Sequence, residues 1–418
     1  MRIFLAAMIL FPALSCGQDF VVDHVRVFDG ERTFERASVL VRGGKIAAVG
    51  RAGRQATGLP IIDGTGRTLL PGLIDAHTHI QSRLDLQKSM VFGVTTDLSL
   101  HMPPQLARKL KNGQDGQADL LSAGYAATAP GGHGTEYGFP VPTLTDPAQA
   151  QAWVDERIAE GSEFIKIMYE SGGENGRITR PSIDRPTLVA IVAAAHRRGK
   201  LAIAHIHTDK QAFDAIEAGA DGLAHLYLFG SDQMDPQFAQ RLLAHHMFVI
   251  PTLTVLRSVC GLSPGQAIID DPRLRKYLLP EDLALLQRNI ARATPNNCAR
   301  AMNATTVLAA RGVPILAGTD QNNPGTAPGA SLHGELALLI EAGLTPLQAL
   351  QAATSATARA FRLTDRGRIA PGLRADLLLV QGNPTVDIYA TRNIVAVWKE
   401  GVKFDTEAWL SQMNTGIH

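Results

Sequence analysis

The residues best equipped for chemistry lie in Leu73-Ile74-Asp75-Ala76-His77-Thr78-His79, after an apolar run and a Pro71-Gly72 break. In a strand, side chains two residues apart leave the same face. His77 and His79 therefore aim at one point, about 6–7 Å apart along the strand, near enough to share a metal ion. Taken alone, the pair is equally compatible with two ordinary histidines at a strand end. Further residues tip that balance. Lys166 lies in Phe164-Ile165-Lys166-Ile167-Met168, and His205 and His207 close the apolar segment 201–204. His225 ends the segment 222–225, and Asp320 follows Leu316-Ala317-Gly318-Thr319. Imidazoles with a carboxylate suit zinc, with manganese, cobalt or iron as alternatives. A lysine among them is at first puzzling, because an ammonium repels a metal and is costly to bury unpaired.

Bringing these side chains together requires several strands that end at one place. Apolar strand candidates occur at 70–75, 93–98, 119–124, 164–168, 201–204, 222–225, 247–252 and 314–318. Amphipathic helical patterns at 147–160, 182–198, 209–218, 235–245 and 278–311 separate several of them. The alternation predicts an α/β chain with a (β/α)8 TIM-like barrel over 71–365, a doubly wound parallel sheet being the second choice. Barrel chemistry sits at the strand C-terminal ends, where the histidines, Asp320 and Lys166 fall. The segment 19–63 differs, with short β pieces between Asp29-Gly30 and Gly43-Gly44 turns. It is too small to cover itself, and 375–380 and 393–398 offer matching strands. A small β-sandwich domain built from 19–70 and 366–410 is therefore expected, with mobile loops at 261–279 and 320–330.

Pro71-Gly72-Leu73-Ile74-Asp75-Ala76-His77-Thr78-His79, Lys166, the later histidines and Gly318-Thr319-Asp320 together resemble the amidohydrolase superfamily. So do Leu344-Thr345-Pro346, Ala352-Ala353-Thr354 and the tail Gly367-Arg368-Ile369-Ala370-Pro371-Gly372-Leu373-Arg374-Ala375-Asp376-Leu377. Ala204-His205-Ile206 and Gly131-Gly132-His133-Gly134 are most similar to the imidazolonepropionase-like and prolidase-like branch. The resemblance implies two divalent ions, zinc being the first expectation. His77, His79 and Asp320 would hold the buried ion and His205 and His225 the more exposed one. Lys166 would bridge them as N6-carboxylysine, which turns the puzzling cation into an anion. Two such ions activate a bridging water, and Asp320 would take its proton and deliver it to the leaving nitrogen. His133 is the implied contact for substrate or oxyanion, a turn-capping role being its alternative. His207 could replace His205 as ligand or line the pocket. Tyr169 could touch substrate or pack in the core. His333 and Glu335, at an expected helix start, are read as outside the site, Glu335 as a favourable charge at the helix end. His101, His196, His245 and His246 are read as ordinary surface or core residues.

The implied function is hydrolysis of a C–N bond in a small substrate, a dipeptide or N-acyl amino acid first. Its carboxylate would need a cation, with Arg177 or Arg180 as candidates. A cyclic amide, as in imidazolonepropionase-like enzymes, comes second, and an ester or lactone uses the same chemistry. A non-catalytic binding protein on the same fold would be expected to lack ligands, and here every position is filled. A chain of 418 residues, 45% hydrophobic and of net charge +1, has ample material for a core. Its lack of a basic cluster speaks against nucleic acid. Homo-oligomers remain open. Arg2, the apolar segment 3–14 and Ala13-Leu14-Ser15 read as an export signal over 1–18, too short to span a bilayer. The expected location is periplasmic, with Cys16 as a less favoured lipid anchor. In an oxidising compartment Cys260 and Cys298 could pair or stay free.

Overall fold

A computed structural model describes residues 18–55, 58–111, 116–170, 180–230 and 234–415. The export segment through Cys16, and Arg177, lie outside these residues. Five strands open the chain: β1 (Phe20–Phe28), β2 (Thr33–Arg42), β3 (Lys45–Val49), β4 (Ile61–Asp63) and β5 (Arg67–Pro71). Seven follow: β6 (Leu73–Thr78), β7 (Val94–Ser99), β8 (Asp119–Ser122), β9 (Ile165–Met168), β10 (Ala202–His205), β11 (Gly222–Ala224) and β12 (Phe248–Ile250). The tail adds β13 (Leu377–Gln381), β14 (Ile394–Lys399) and β15 (Val402–Lys403).

Both chain ends do share a sheet. Its order is β15-β14-β13-β5-β1-β2-β3, with β4 beside β1, and β13 runs antiparallel to β5 with Leu378 opposite Leu70. Pairing joins the strands in one path and does not divide them into the two sheets expected of a sandwich. Phe20, Val22, Leu69, Leu377 and Trp398 share its buried core. Three tail cations, Arg366, Arg374 and Lys399, pair with Asp119 at the start of β8 at 2.6, 2.7 and 2.6 Å. Burial alone would raise the Asp119 carboxyl, but Lys399, Arg374 and Arg366 outweigh it and hold it below its ordinary value. Gly72 carries the chain from β5 into β6. A Cβ there would lie 2.2 Å from the Thr95 hydroxyl oxygen, so no side chain fits the crossing.

The central strands form two parallel sheets, β6-β7-β8 and β9-β10-β11-β12. Isolated bridges connect their margins: Ala127 with Ile167, Val249 with Ile315, and Thr78 with Gln321. The segment 314–318, expected as the eighth strand, is not a regular strand. It still bonds to both sides, through Leu316 N–H to Val249 O and Ala76 N–H to Ala317 O, each 2.9 Å. Inside, Ile74, Leu98, Phe164, Ile203, Phe248 and Leu316 form an apolar plug. Most expected helices appear with trimmed ends. The pattern at 278–311 is two helices, Pro280–Leu286 and Pro295–Ala310, because Thr294 caps a fresh start with Pro295 in its first turn. The expected loop at 261–279 contains the short helices Gln266–Ile269 and Pro272–Arg275.

Candidate metal centre

Above the apolar plug, the strand ends turn polar. His77 lies in β6, Lys166 in β9, His205 ends β10 and His225 follows β11. His225 and Asp320 have φ of 71° and 57°, a left-handed backbone that costs about 1–3 kcal/mol in a non-glycine residue and concentrates at working sites. Asp320 Oδ1 lies 3.3 Å from His77 Nε2 and 2.7 Å from His79 Nε2, and its Oδ2 is 3.9 Å from His225 Nε2.

Two rings of this group, those of His79 and His225, are oriented through their other nitrogens, while His77 Nδ1 is buried without a partner. His79 Nδ1 donates to the His101 carbonyl at 3.2 Å. Thr252 gives its hydroxyl proton to Pro251 O, so His225 Nδ1–H donates to Thr252 Oγ1 at 2.6 Å. Both leave a free Nε2 lone pair facing Asp320, the arrangement a metal ligand needs. Burial pushes His77, His205 and His225 well below the ordinary imidazole range, which keeps them neutral and able to ligate. Asp75 fixes the floor, accepting from His77 N–H at 3.1 Å and from Thr319 N–H and hydroxyl at 3.0 and 2.6 Å. These residues fit a divalent cation. The ligand atoms of His77, His79 and Asp320 lie within 4.8 Å of one another, and Asp320 Oδ1 is buried without a hydrogen-bond partner. Lys166 is 1% exposed, and burial brings its amine down to about 7 against the opposing pull of Asp320.

A second group centres on Glu170, which the sequence analysis missed. Its Oε2 accepts from His133 Nδ1 and, at 3.1 Å, from His205 Nε2; its Oε1 accepts from His207 Nδ1 at 2.9 Å. Burial would raise this carboxyl, but His207, His133 and His205 hold it far below the usual range. His133, Glu170 and His205 also have ligand atoms within 4.8 Å of one another. The only sequence signal for Glu170 is its place two residues beyond β9. His205 meets His225 with ring centroids 4.5 Å apart, so both groups adjoin.

Other expectations fare differently. His207 lines the cavity described below, but Tyr169 does not: its hydroxyl donates to Asp214 at 2.9 Å, outside the cluster. His101, read as ordinary, is a positioning residue. Its Nδ1 accepts from Ala126 N–H at 2.9 Å and its Nε2 donates to Gly134 O at 3.1 Å, which pins the glycine loop of His133. His196 is a surface residue paired with Asp221. His333 is buried between Thr391 and Phe92 O, away from the site. Glu335 does not serve its own helix, Ala330–Glu341. It accepts from Leu253 and Thr254 N–H groups at 3.0 and 2.8 Å, at the start of helix Leu253–Val259. Cys260, at the other end of that helix, is joined to Cys298 in a disulfide.

Asp320 and His225, with the Glu170 group, open into a cavity of about 640 Å³. Leu228, Phe229, Val255, Leu256, Val259 and Ile290 give it an apolar wall, and Arg180 and Arg292 are on its lining. Arg180 is ion-paired with Glu136. Tyr137, 3.2 Å from His133 Nε2 through its hydroxyl, borders this cavity and a second one of about 360 Å³ beside His79 and His101. No helix among the described residues is long and apolar enough to cross a membrane.

Comparison with known proteins agrees with this geometry. The chain is 28% identical to an imidazolonepropionase of Cereibacter sphaeroides, over 84% of this chain and 90% of that protein. It is 24% identical to an adenine deaminase of Lysinibacillus sphaericus over 92% of this chain, which spans only 57% of that longer relative. Among solved structures, a Xaa-Pro dipeptidase with bound methionine superposes with a TM-score of 0.74 at 23% identity, covering 93% of this chain and all of that one. The A. niger ochratoxinase gives 0.72 at 21%, covering 94% and 96%. At such identities these structures speak for the fold, of the TIM-barrel type. The profile of the Amidohydrolase family matches residues 68–403. The chain therefore belongs to the amidohydrolase family, metal-dependent enzymes that hydrolyse carbon–nitrogen bonds.

Proposed function

We propose that this enzyme is exported and cleaves the amide bond of a small carboxylate-bearing substrate, a dipeptide or an N-acyl amino acid. The observation that carries this reading is where the His77–His79–Asp320 group opens. Asp320 of that group lines a cavity with an apolar wall for a side chain, and Arg180 and Arg292 on the same lining suit a carboxylate, Arg180 by leaving its pairing with Glu136. The marginal bridges support a closed eight-stranded barrel over 71–365; residues 19–70 and 366–410 would form the second domain, and the sequence of 1–18 supports a removed export signal. Two divalent ions, zinc first, would supply Lewis acidity and a water acidified toward neutral pH. His77, His79 and Asp320 would hold one; His205 and His225 the other, with Lys166 carboxylated between them. Carboxylation needs a neutral amine, which the burial of Lys166 favours. Asp320 takes a proton at its carboxylate and returns it to the leaving nitrogen. His133, donating to Glu170 through Nδ1, holds the Tyr137 hydroxyl at its Nε2, and that hydroxyl, once released from His133, donates to the substrate carbonyl oxygen. The apolar wall holds the side chain and excludes water.

A second reading, hydrolysis of a cyclic amide, is favoured by the likeness to imidazolonepropionase along 90% of that protein. One screen separates them. Protein loaded with zinc and bicarbonate is offered dipeptides, N-acyl amino acids, cyclic amides, esters and lactones. A kcat/KM of about 10⁴ M⁻¹s⁻¹ or more on a free-carboxylate amide, falling when that carboxylate is amidated, is expected. Turnover of cyclic amides alone, or of esters and lactones alone, would overturn the first reading.

A further inference from the structure

On the far side of the metal-bearing strands lies another set of buried polar atoms. Alternation along β7 sends Leu98 into the apolar plug and Asp97 and Ser99 to the opposite face. Register places Thr78 of β6 beside Ser99, and Gln321 beside Thr78 on its other flank. Residues side by side in a sheet share a face, so all four point the same way. Ser89 reaches this face from helix Arg83–Val91. Burial pushes the Asp97 carboxyl well above its ordinary value and Asp75 adds repulsion, while Ser89 and Gln321 lie near enough to pull it back.

Thr78, Ser89, Asp97, Ser99 and Gln321 are all fully buried. Thr78 Oγ1 and Ser99 Oγ meet no hydrogen-bond partner, and Ser89 Oγ, the Asp97 carboxylate and the Gln321 amide reach none at full hydrogen-bond geometry, Ser89 and Gln321 only approaching Asp97. One such orphan costs about 1–3 kcal/mol, and a buried charge costs more. So many at one spot call for a single species that their oxygens can face, the Gln321 Nε2 amide being turned toward Asp97. The donors are a carboxylate, three hydroxyls and an amide oxygen, with no nitrogen or sulfur ligand. Such hard oxygens suit alkali and alkaline-earth ions over transition metals, and a single ligating charge suits a monovalent one.

We propose that Thr78, Ser89, Asp97, Ser99 and Gln321 enclose a monovalent alkali cation, sodium or potassium, distinct from the divalent centre. The ion would offset the repulsion between Asp97 and Asp75 and tie β6, β7 and the segment after Asp320 together. Thr78 lies between His77 and His79, and Gln321 follows Asp320. Occupancy therefore holds three divalent ligands in register without touching them.

The test is thermal melting of the purified protein in sodium, potassium or tetramethylammonium chloride at equal ionic strength. Sodium or potassium should raise the melting temperature saturably, by about 2–5 °C over tetramethylammonium. Asp97→Asn should abolish that difference. Ser99→Ala keeps the charge and removes one ligand, so it should raise the half-saturating concentration several-fold; it carries the test if Asp97→Asn does not fold. Equal melting in the three salts would overturn the proposal. So would a sodium or potassium effect that both variants leave unchanged.

Discussion

The two adjoining ligand groups are built on different terms. His79 and Asp75 are held by the backbone, His79 through the His101 carbonyl and Asp75 through the N–H groups of His77 and Thr319. Held this way, the first group keeps Asp320 Oδ1 without a hydrogen-bond partner. The second group holds itself. Glu170 takes hydrogen bonds from His133, His205 and His207, so a cation arriving there would have to displace one of them. Backbone anchoring leaves lone pairs for a metal, whereas mutual side-chain bonding uses them up. The first group should therefore bind more tightly and respond more sharply to substitution.

The largest effect should come from Asp320→Asn, which keeps the shape and removes the charge and the base. A fall in kcat/KM of about 10²–10⁴-fold is expected, with less metal retained on plasma emission analysis. Full metal content and full rate would put the first group out of the chemistry.

Glu170→Gln should do less. Its partners orient ligands and substrate contacts without supplying the first ion, so a loss of about 10–100-fold is expected with the tightly bound metal retained. Loss of all metal in this variant would mean that both groups are alike and that Glu170 is itself a ligand. Chelation sharpens the same contrast. Removing the divalent ions should lower the melting temperature of the natural protein by several degrees, and that of Asp320→Asn hardly at all. An equal drop in both would deny Asp320 its share in holding the metal.

What the sequence made legible follows the same division. His77, His79, His205, His225 and Asp320 could be found because strand periodicity and strand ends fix where a side chain points. Lys166 could be placed by its strand, and the carboxylation proposed for it came only with the family resemblance. Glu170 and Tyr137 escaped because they sit on loops, whose shape no periodicity encodes. Tyr169 misled for a related reason: it leaves β9 near the mouth, but Asp214, distant in sequence, offers its hydroxyl a partner. The composite sheet was legible in outline, since the 19–63 pieces needed strands from elsewhere and the tail had them. Its single path of pairing was not, because register between chain ends depends on contacts hundreds of residues apart.

The smallest effect concerns the cavity wall, where Glu335 resembles the first group in meeting backbone donors. Its carboxyl bonds the first N–H groups of helix Leu253–Val259, which carries Val255, Leu256 and Val259. Burial pushes it from an ordinary 4.5 up to about 7, with the bonds from Thr254 and Leu253 working the other way. A carboxyl raised on folding favours the protonated native state. Its stabilisation is complete below pH 4.5 and is lost as pH rises through about 7, up to about 3 kcal/mol in all. Glu335→Gln keeps one acceptor and cannot ionise. Compared after chelation, so that metal linkage drops out, the variant should melt below the natural protein at pH 5 and close that gap by pH 8. A gap that stays constant over this range would mean that the backbone donors fully compensate the buried charge. Glu335 would then be ionised throughout, an anchor of the same kind as Asp75 but without its raised pKa.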